Sequence, residues 1–127
     1  MFIEVVLDTN FIISCIKQKL DFFSKTNELI ADNFEWVVPS GVMRELEEIS
    51  KKDGGNFEDK NCAAIGLEML RLIGPRIVDV DGKYVDQAII NYIKDKDSIL
   101  ATLDRALKKK VSNKILTIRD LKNLEVI

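Results

Sequence analysis

The sequence predicts an α/β protein with three layers, in which helices cover both faces of a central, mostly parallel, five-stranded sheet. Short apolar segments alternate with helix-like segments along the chain, and parallel strands need such crossover connections. The first segment, residues 3–7, is apolar except at one position, which is typical of a strand inside a sheet. No repeat, low-complexity tract or linker divides the 127 residues, so we expect a single domain over residues 1–127.

The first predicted strand is followed by two helices and a second strand. Thr9 or Asn10 stands near the start of a helix over residues 9–18, in which apolar residues recur at helical spacing. The same periodicity predicts a helix over residues 21–31. Residues 34–38 are aromatic or β-branched except for Glu35, which favours a short strand.

Turn and cap signals delimit the next two helices. Ser40 is expected to cap a helix over residues 41–52. A polar, glycine-rich loop follows over residues 51–56, and a long helix is predicted over residues 58–73. Gly74 and the proline after it end that helix.

The last third of the chain alternates in the same way, with a turn predicted at Asp81 and Gly82. The tail, residues 121–127, has no pattern that assigns it. The predicted elements are a strand at 77–80, a helix at 83–95, a strand at 98–102, a helix at 104–111 and a strand at 115–118.

The absence of histidine limits the chemistry that the protein can perform. It excludes Ser-His-Asp and Cys-His nucleophiles, imidazole acid–base pairs and the common zinc sites that contain histidine. Cys15 and Cys62 lie among apolar neighbours and are expected to be reduced core residues. An enzyme built from this sequence would therefore work mainly with carboxylates, with or without a metal ion.

Charge and hydropathy indicate a cytoplasmic protein. No apolar run approaches the roughly 18 residues that a transmembrane helix needs, and no basic-then-apolar leader opens the chain. The formal net charge of −2 gives no general attraction to nucleic acid. A polyanionic ligand would need local basic patches or bound cations.

Four acids follow predicted strands: Asp8, Glu45, Asp86 and Asp104. Because the carboxyl ends of parallel strands meet at one edge of a sheet, these side chains can converge there. An acid that directly closes an apolar strand, as Asp8 does, is costly to bury without a partner.

The helical phase separates Glu45 from the glutamates beside it. On the helix over 41–52, Glu45 falls about 60° from the stripe formed by Val42, Leu46 and Ile49, at about 100° of rotation per residue. Glu47 and Glu48 fall about 140° and 120° from the stripe. Only Glu45 borders the packed face closely enough to be held in place.

Four segments together resemble the PIN-domain family of metal-dependent nucleases, and they extend across nearly the whole chain. The segments are Val6-Leu7-Asp8-Thr9-Asn10-Phe11, Val38-Pro39-Ser40-Gly41-Val42-Met43-Arg44-Glu45-Leu46, Val85-Asp86-Gln87-Ala88-Ile89 and Leu100-Ala101-Thr102-Leu103-Asp104. Leu103 departs from the family pattern, because relatives usually carry a polar residue there. The middle of the chain is more similar to archaeal and ribosome-processing members than to compact toxin members.

The resemblance implies a site and an activity. Its metal-binding and catalytic acids would be Asp8, Glu45, Asp86 and Asp104, with Asn10 and Thr102 as polar supports. Oxygen-only ligands suit Mg²⁺ or Mn²⁺. The implied activity is that of an endoribonuclease, and the implied partners are RNA, an antitoxin-like or ribosome-associated protein and a second copy of the chain in a homodimer.

A basic stretch beside the last acid offers a contact for phosphates. Arg105, Lys108 and Lys109 lie on the short helix that follows Asp104, where they could hold the RNA backbone. A lysine run on an exposed helix is equally compatible with a simply solvated face.

Three other functions share features with this sequence. A haloacid-dehalogenase-like phosphatase needs a second Asp two residues after the first, where this sequence has Asn10. A receiver domain needs a Lys after the fifth strand, where this sequence has Ile118-Arg119. A catalytically weak or inactive PIN-like module that only binds RNA or protein stays as the alternative.

Overall fold

A computed structural model of the protein describes residues 2–80, 83–120 and 122–127. The strands are β1 (Ile3–Leu7), β2 (Phe34–Pro39), β3 (Arg76–Val78), β4 (Ile99–Ala101), β5 (Lys114–Asp120) and β6 (Asn123–Val126). The helices are α1 (Thr9–Lys17), α2 (Phe22–Leu29), α3 (Ser40–Lys51), α4 (Phe57–Ile73), α5 (Val85–Ile93) and α6 (Arg105–Lys109).

The sheet has the strand order β3-β2-β1-β4-β5-β6. All neighbouring pairs are parallel except β5 and β6, which are antiparallel. The predicted α/β class with a mostly parallel sheet is therefore confirmed, with one strand more than the five expected. The additional strand is β6, whose four residues carry too short a pattern to be recognised before they pair with β5.

The central position of β1 explains its apolar sequence. Val5, Val6 and Leu7 are fully buried, because β1 lies between β2 and β4 in the sheet. Helix α4 packs against both α1 and α3. At Gly66 on α4, an added Cβ would lie 2.9 Å from Cγ2 of Ile12, so the glycine allows α4 to approach α1 closely.

The structure corrects one cap and leaves one predicted turn open. Ser40 is not the cap of α3 but its first residue, and Pro39 occupies the cap position without a side-chain hydrogen bond. The Ser40 hydroxyl instead donates to Oδ1 of Asp79 over 3.0 Å. The turn predicted at Asp81 and Gly82 lies outside the described residues.

Two further expectations concern cysteines and membranes. Cys15 and Cys62 are free and buried, as predicted. Burial raises the pKa of the Cys15 thiol to about 12. Across the described residues, the helices are all too short or too polar to cross a bilayer.

Candidate active site at the carboxyl edge of the sheet

Asp8 lies where β1 ends and α1 begins, at the carboxyl edge of the sheet. Its backbone N–H still donates to the carbonyl of Ala101 on β4, over 3.0 Å, so the position of Asp8 is fixed by the sheet. Its Oδ1 accepts a hydrogen bond from the Thr9 N–H at 2.9 Å and makes Asp8 the N-cap of α1. The side chain is almost completely buried, with 4% of its surface exposed.

Thr102 holds the other oxygen of Asp8. The Thr102 hydroxyl donates to Asp8 Oδ2 over 2.7 Å. The hydroxyl oxygen of Thr102 also accepts a hydrogen bond from the Asp104 N–H, at 3.1 Å. Thr102 is fully buried. One threonine thus connects the acids that follow the two central strands, β1 and β4.

Asp8, Glu45 and Asp86 line one open cleft of about 410 Å³. Glu45 is half-buried, as its helical phase predicts, whereas Glu47 and Glu48 are exposed. The Thr9 hydroxyl donates to Glu45 Oε1 over 2.5 Å, which ties α3 to the start of α1. Three of the four predicted acids therefore share this cleft.

The electrostatic environment of Asp8 is unfavourable for a negative charge. The pKa of Asp8 is raised from 3.8 to about 6, mainly because of burial and in smaller part because of the nearby carboxylates of Asp86 and Glu45. The hydrogen bonds from Thr102 and Thr9 act in the opposite direction but do not compensate for burial. A cation in the cleft would relieve this accumulation of negative charge.

Asp104 occupies a different position from the other three acids. Its Oδ1 accepts hydrogen bonds from the backbone N–H groups of Ala106 and Leu107, at 2.9 and 3.2 Å, and so caps α6. Asp104 does not line the cleft. No three acidic or cysteine side chains of the described residues are gathered closely enough to hold a metal ion as they stand.

The predicted supports surround the loop between β4 and α6. Asn10 Oδ1 accepts the Leu103 N–H at 3.2 Å and lies 3.4 Å from the Thr102 hydroxyl oxygen. The Leu103 side chain, which replaces the usual polar residue, packs against the hydrophobic core instead. The backbone of this loop is thus fixed by Asn10 and Thr102 without a polar side chain at position 103.

The predicted phosphate contacts lie away from the cleft. Arg105 and Lys109 are exposed, and Lys108 is half-buried with its Nζ donating to the Thr117 hydroxyl over 3.2 Å. None of the three lines the cleft of Asp8.

The cleft contains an ion pair that the sequence analysis did not identify. Lys17 on α1 pairs with Asp59 on α4, and both line the cleft. A signal for Lys17 was present, because Asn10, Ser14 and Lys17 recur at helical spacing and all three face the cleft. The pairing with Asp59 could not be predicted in the same way, because Lys17 and Asp59 are far apart in the sequence.

The fold and the acidic cleft define a class of protein. Residues 5–123 match the family described as PIN-like domain, and the chain belongs to this family. This result confirms the resemblance inferred from the four sequence segments.

Two particular relatives are similar to the chain over almost its whole length. Ribonuclease VapC4 of Methanocaldococcus jannaschii is 30% identical over 127 residues, which cover 97% of this chain and 95% of the relative. The solved structure of the PIN domain endonuclease Utp24 is similar with a TM-score of 0.74 and 25% identity, covering 97% of this chain and 90% of that one. The relatives are thus named as nucleases, one of them as a ribonuclease.

Proposed function

We propose that the protein is an endoribonuclease that hydrolyses RNA phosphodiester bonds with the help of Mg²⁺ or Mn²⁺. The observation that carries the proposal is the convergence of Asp8, Glu45 and Asp86, from three separate elements, on one cleft at the carboxyl edge of the sheet. Burial is the main cause of the raised pKa of Asp8, and the nearby carboxylates of Asp86 and Glu45 add to it. The name of the first relative, ribonuclease VapC4, supports RNA as the substrate class, and that of the second, the endonuclease Utp24, supports internal cleavage.

The side chains fit a divalent cation by their donor type. Carboxylate oxygens are the ligands preferred by Mg²⁺ and Mn²⁺, and the cleft offers neither imidazole nor thiolate. We propose Asp8, Glu45 and Asp86 as the ligands, with Asp104 joining through its second oxygen. When bound, the cation would act as a Lewis acid that activates water and neutralises charge on the phosphodiester.

The chain's own residues prepare the site for this role. Thr102 and the Thr9 N–H orient the two oxygens of Asp8 by hydrogen bonds, so that the carboxylate does not need to reorganise. The Thr9 hydroxyl positions Glu45 in the same way. The Lys17–Asp59 pair closes one wall of the cleft and leaves the negative charge of the other three acids uncompensated.

The alternative is a catalytically weak or inactive PIN-like module that binds RNA or protein. It is favoured by one observation, the use of Asp104 Oδ1 to cap α6 outside the cleft. We further propose an antitoxin-like or ribosome-associated protein partner and a homodimer, on the basis of family resemblance.

A cleavage assay separates the two functions. We expect the wild-type protein to cut single-stranded RNA in Mn²⁺ or Mg²⁺ and to stop cutting when EDTA is added, without unfolding. RNA binding without cleavage at any divalent concentration would instead establish the inactive module. Unfolding in EDTA would indicate a structural metal ion and would contradict the proposed role of the cation.

The three neighbouring glutamates of α3 provide a matched series. Glu45→Gln should remove most of the cleavage activity at a fixed Mn²⁺ concentration, because Glu45 lines the cleft. Glu47→Gln and Glu48→Gln should leave turnover unchanged and shift the free energy of unfolding by less than about 0.5 kcal/mol, since both are exposed. Similar losses in all three variants would show a diffuse acidic face instead of a defined ligand.

A further inference from the structure

A second, smaller pocket is lined by Arg44 and Val85, which are next in sequence to two acids of the carboxylate cleft. It has a volume of about 60 Å³ and is formed where α3 begins and where the chain enters α5. Arg44, Lys83 and Tyr84 line it. Arg44 is followed directly by Glu45, and Tyr84 precedes Asp86 by two residues, so the same two helices serve both the pocket and the cleft.

The two cations of this pocket, Arg44 and Lys83, are not paired with a carboxylate of residues 2–80, 83–120 or 122–127. By contrast, Arg71, Arg76 and Arg119 each pair with an acid. An unpaired arginine keeps its planar fork of donors available for a phosphate.

Tyr84 presents an exposed aromatic ring beside these cations. Its exposed fraction is 67%, and the Lys83 Nζ lies 5.5 Å from the ring centroid. Exposed aromatic rings next to basic side chains are the usual platform on which proteins stack unpaired bases. The face of Tyr84 is thus exposed two residues before Asp86, one of the proposed metal ligands.

Gly41 allows α3 and the start of α5 to lie close together at this pocket. A Cβ at this position would lie 3.0 Å from Cγ2 of Val85 and 3.7 Å from Nη2 of Arg44. Only glycine therefore lets the first turn of α3 approach the start of α5 this closely without displacing Val85. The close approach brings Arg44 to the same pocket as Tyr84.

We propose that Arg44, Lys83 and Tyr84 form a subsite for one nucleotide of single-stranded RNA, adjacent to the phosphodiester that is cut. The base stacks on Tyr84, and Arg44 binds the adjoining phosphate with support from Lys83. The subsite supplies unpaired positive charge, whereas Lys17, the cation that lines the carboxylate cleft, is paired with Asp59. This inference rests on the proposed ribonuclease function, because it assigns part of the same substrate.

The subsite implies a preference for unpaired RNA. A base inside a duplex is stacked on its neighbours and cannot lie on Tyr84 without unpairing. We therefore expect the protein to bind a short unstructured oligoribonucleotide more tightly than the same strand annealed to its complement.

The test uses binding and cleavage in parallel. Fluorescence anisotropy of the labelled oligoribonucleotide is measured in Mn²⁺ with the Asp8→Asn background, in which cleavage is expected to be absent. Tyr84→Ala should weaken binding at least about fivefold, the lower end of the loss found for base stacking on an aromatic ring. Tyr84→Phe should restore it, and Phe2→Ala, an exposed aromatic at the opposite edge of the sheet, should have no effect.

The salt dependence identifies the phosphate contact. Arg44→Gln should lower the slope of log K against log salt by about 0.7, the value for one phosphate of a single strand. Tyr84→Ala should leave this slope unchanged. Arg71→Gln, on the outer surface of α4, serves as the matched arginine control.

The outcomes separate the subsite from the proposed function. Wild-type protein that cuts RNA, together with Tyr84→Ala and Arg44→Gln variants that bind and cut like their controls, would overturn the subsite alone. Wild-type protein that neither binds nor cuts RNA would overturn both proposals. If Tyr84→Ala loses binding and also changes its melting temperature, Tyr84→Phe decides between the two causes. Failure of Tyr84→Phe to restore binding would also overturn the subsite.

Discussion

Asp8→Asn should reduce RNA cleavage by more than about 100-fold, as expected when one group of a preorganised catalytic site is lost. The substitution keeps the size of the side chain and an oxygen that can accept the Thr102 or Thr9 hydrogen bond. It removes the charge that we propose as a metal ligand. Single-turnover cleavage in Mn²⁺, compared with the wild-type protein, measures the loss.

The same substitution should stabilise the protein at neutral pH. The pKa of Asp8 is raised from 3.8 to about 6, so the folded state favours the protonated acid. Asp8 therefore adds to the stability of the folded state fully below about pH 4, and this stabilisation is lost as the pH rises through about 6. The free energy of unfolding of Asp8→Asn should exceed that of the wild-type protein by up to about 3 kcal/mol at pH 7 and by almost nothing at pH 4.

Chemical denaturation in EDTA at pH 4, 5, 6 and 7, spanning roughly the interval over which Asp8 titrates, checks this second expectation. The difference between variant and wild type should grow with pH. The role given to Asp8 would be contradicted if Asp8→Asn cut RNA at the wild-type rate, or if this variant did not fold.

Thr102→Val should impair both stability and activity, because a single hydroxyl serves two acids. The substitution leaves Asp8 Oδ2 and the Asp104 N–H without their partner at a fully buried position. We expect a loss of about 1–3 kcal/mol in the free energy of unfolding, the usual cost of a buried polar group left unsatisfied. The pKa of Asp8 should rise further, since Thr102 lowers it in the native protein.

The pH–rate profile separates this effect from simple destabilisation. At subsaturating Mn²⁺, the acidic limb of cleavage should move to higher pH in Thr102→Val, because Asp8 must be ionised to act. Thr102→Ser keeps the hydroxyl and should restore both the profile and the stability. An unchanged profile in Thr102→Val would show that the hydroxyl does not control Asp8.

Local sequence patterns were sufficient to predict where two acids of the site, Asp8 and Glu45, lie. An apolar strand that ends in Asp8 predicted a buried acid at the carboxyl edge of the sheet, and the structure has one there. The helical phase of α3 distinguished Glu45 from Glu47 and Glu48, and the structure has the same difference in burial. Both inferences depend only on residues close together in the chain, where helix and strand periodicity is reliable.

Features that depend on distant contacts or on side-chain conformation could not be predicted in this way. Whether Asp104 faces the cleft or caps its own helix depends on its side-chain conformation, and the structure has the cap. The pair of Lys17 with Asp59 joins two helices that the sequence does not place against each other. The strand β6 is formed only by pairing with β5.

The most direct test of the proposed metal site is a calorimetric titration of Mn²⁺ into the metal-free protein without RNA. We expect weak binding in the wild-type protein, loss of this binding in Asp8→Asn and Glu45→Gln, and normal binding in Glu47→Gln. Absence of binding to the wild-type protein at millimolar Mn²⁺, or equal binding by all four proteins, would contradict the claim that Asp8 and Glu45 hold the catalytic cation.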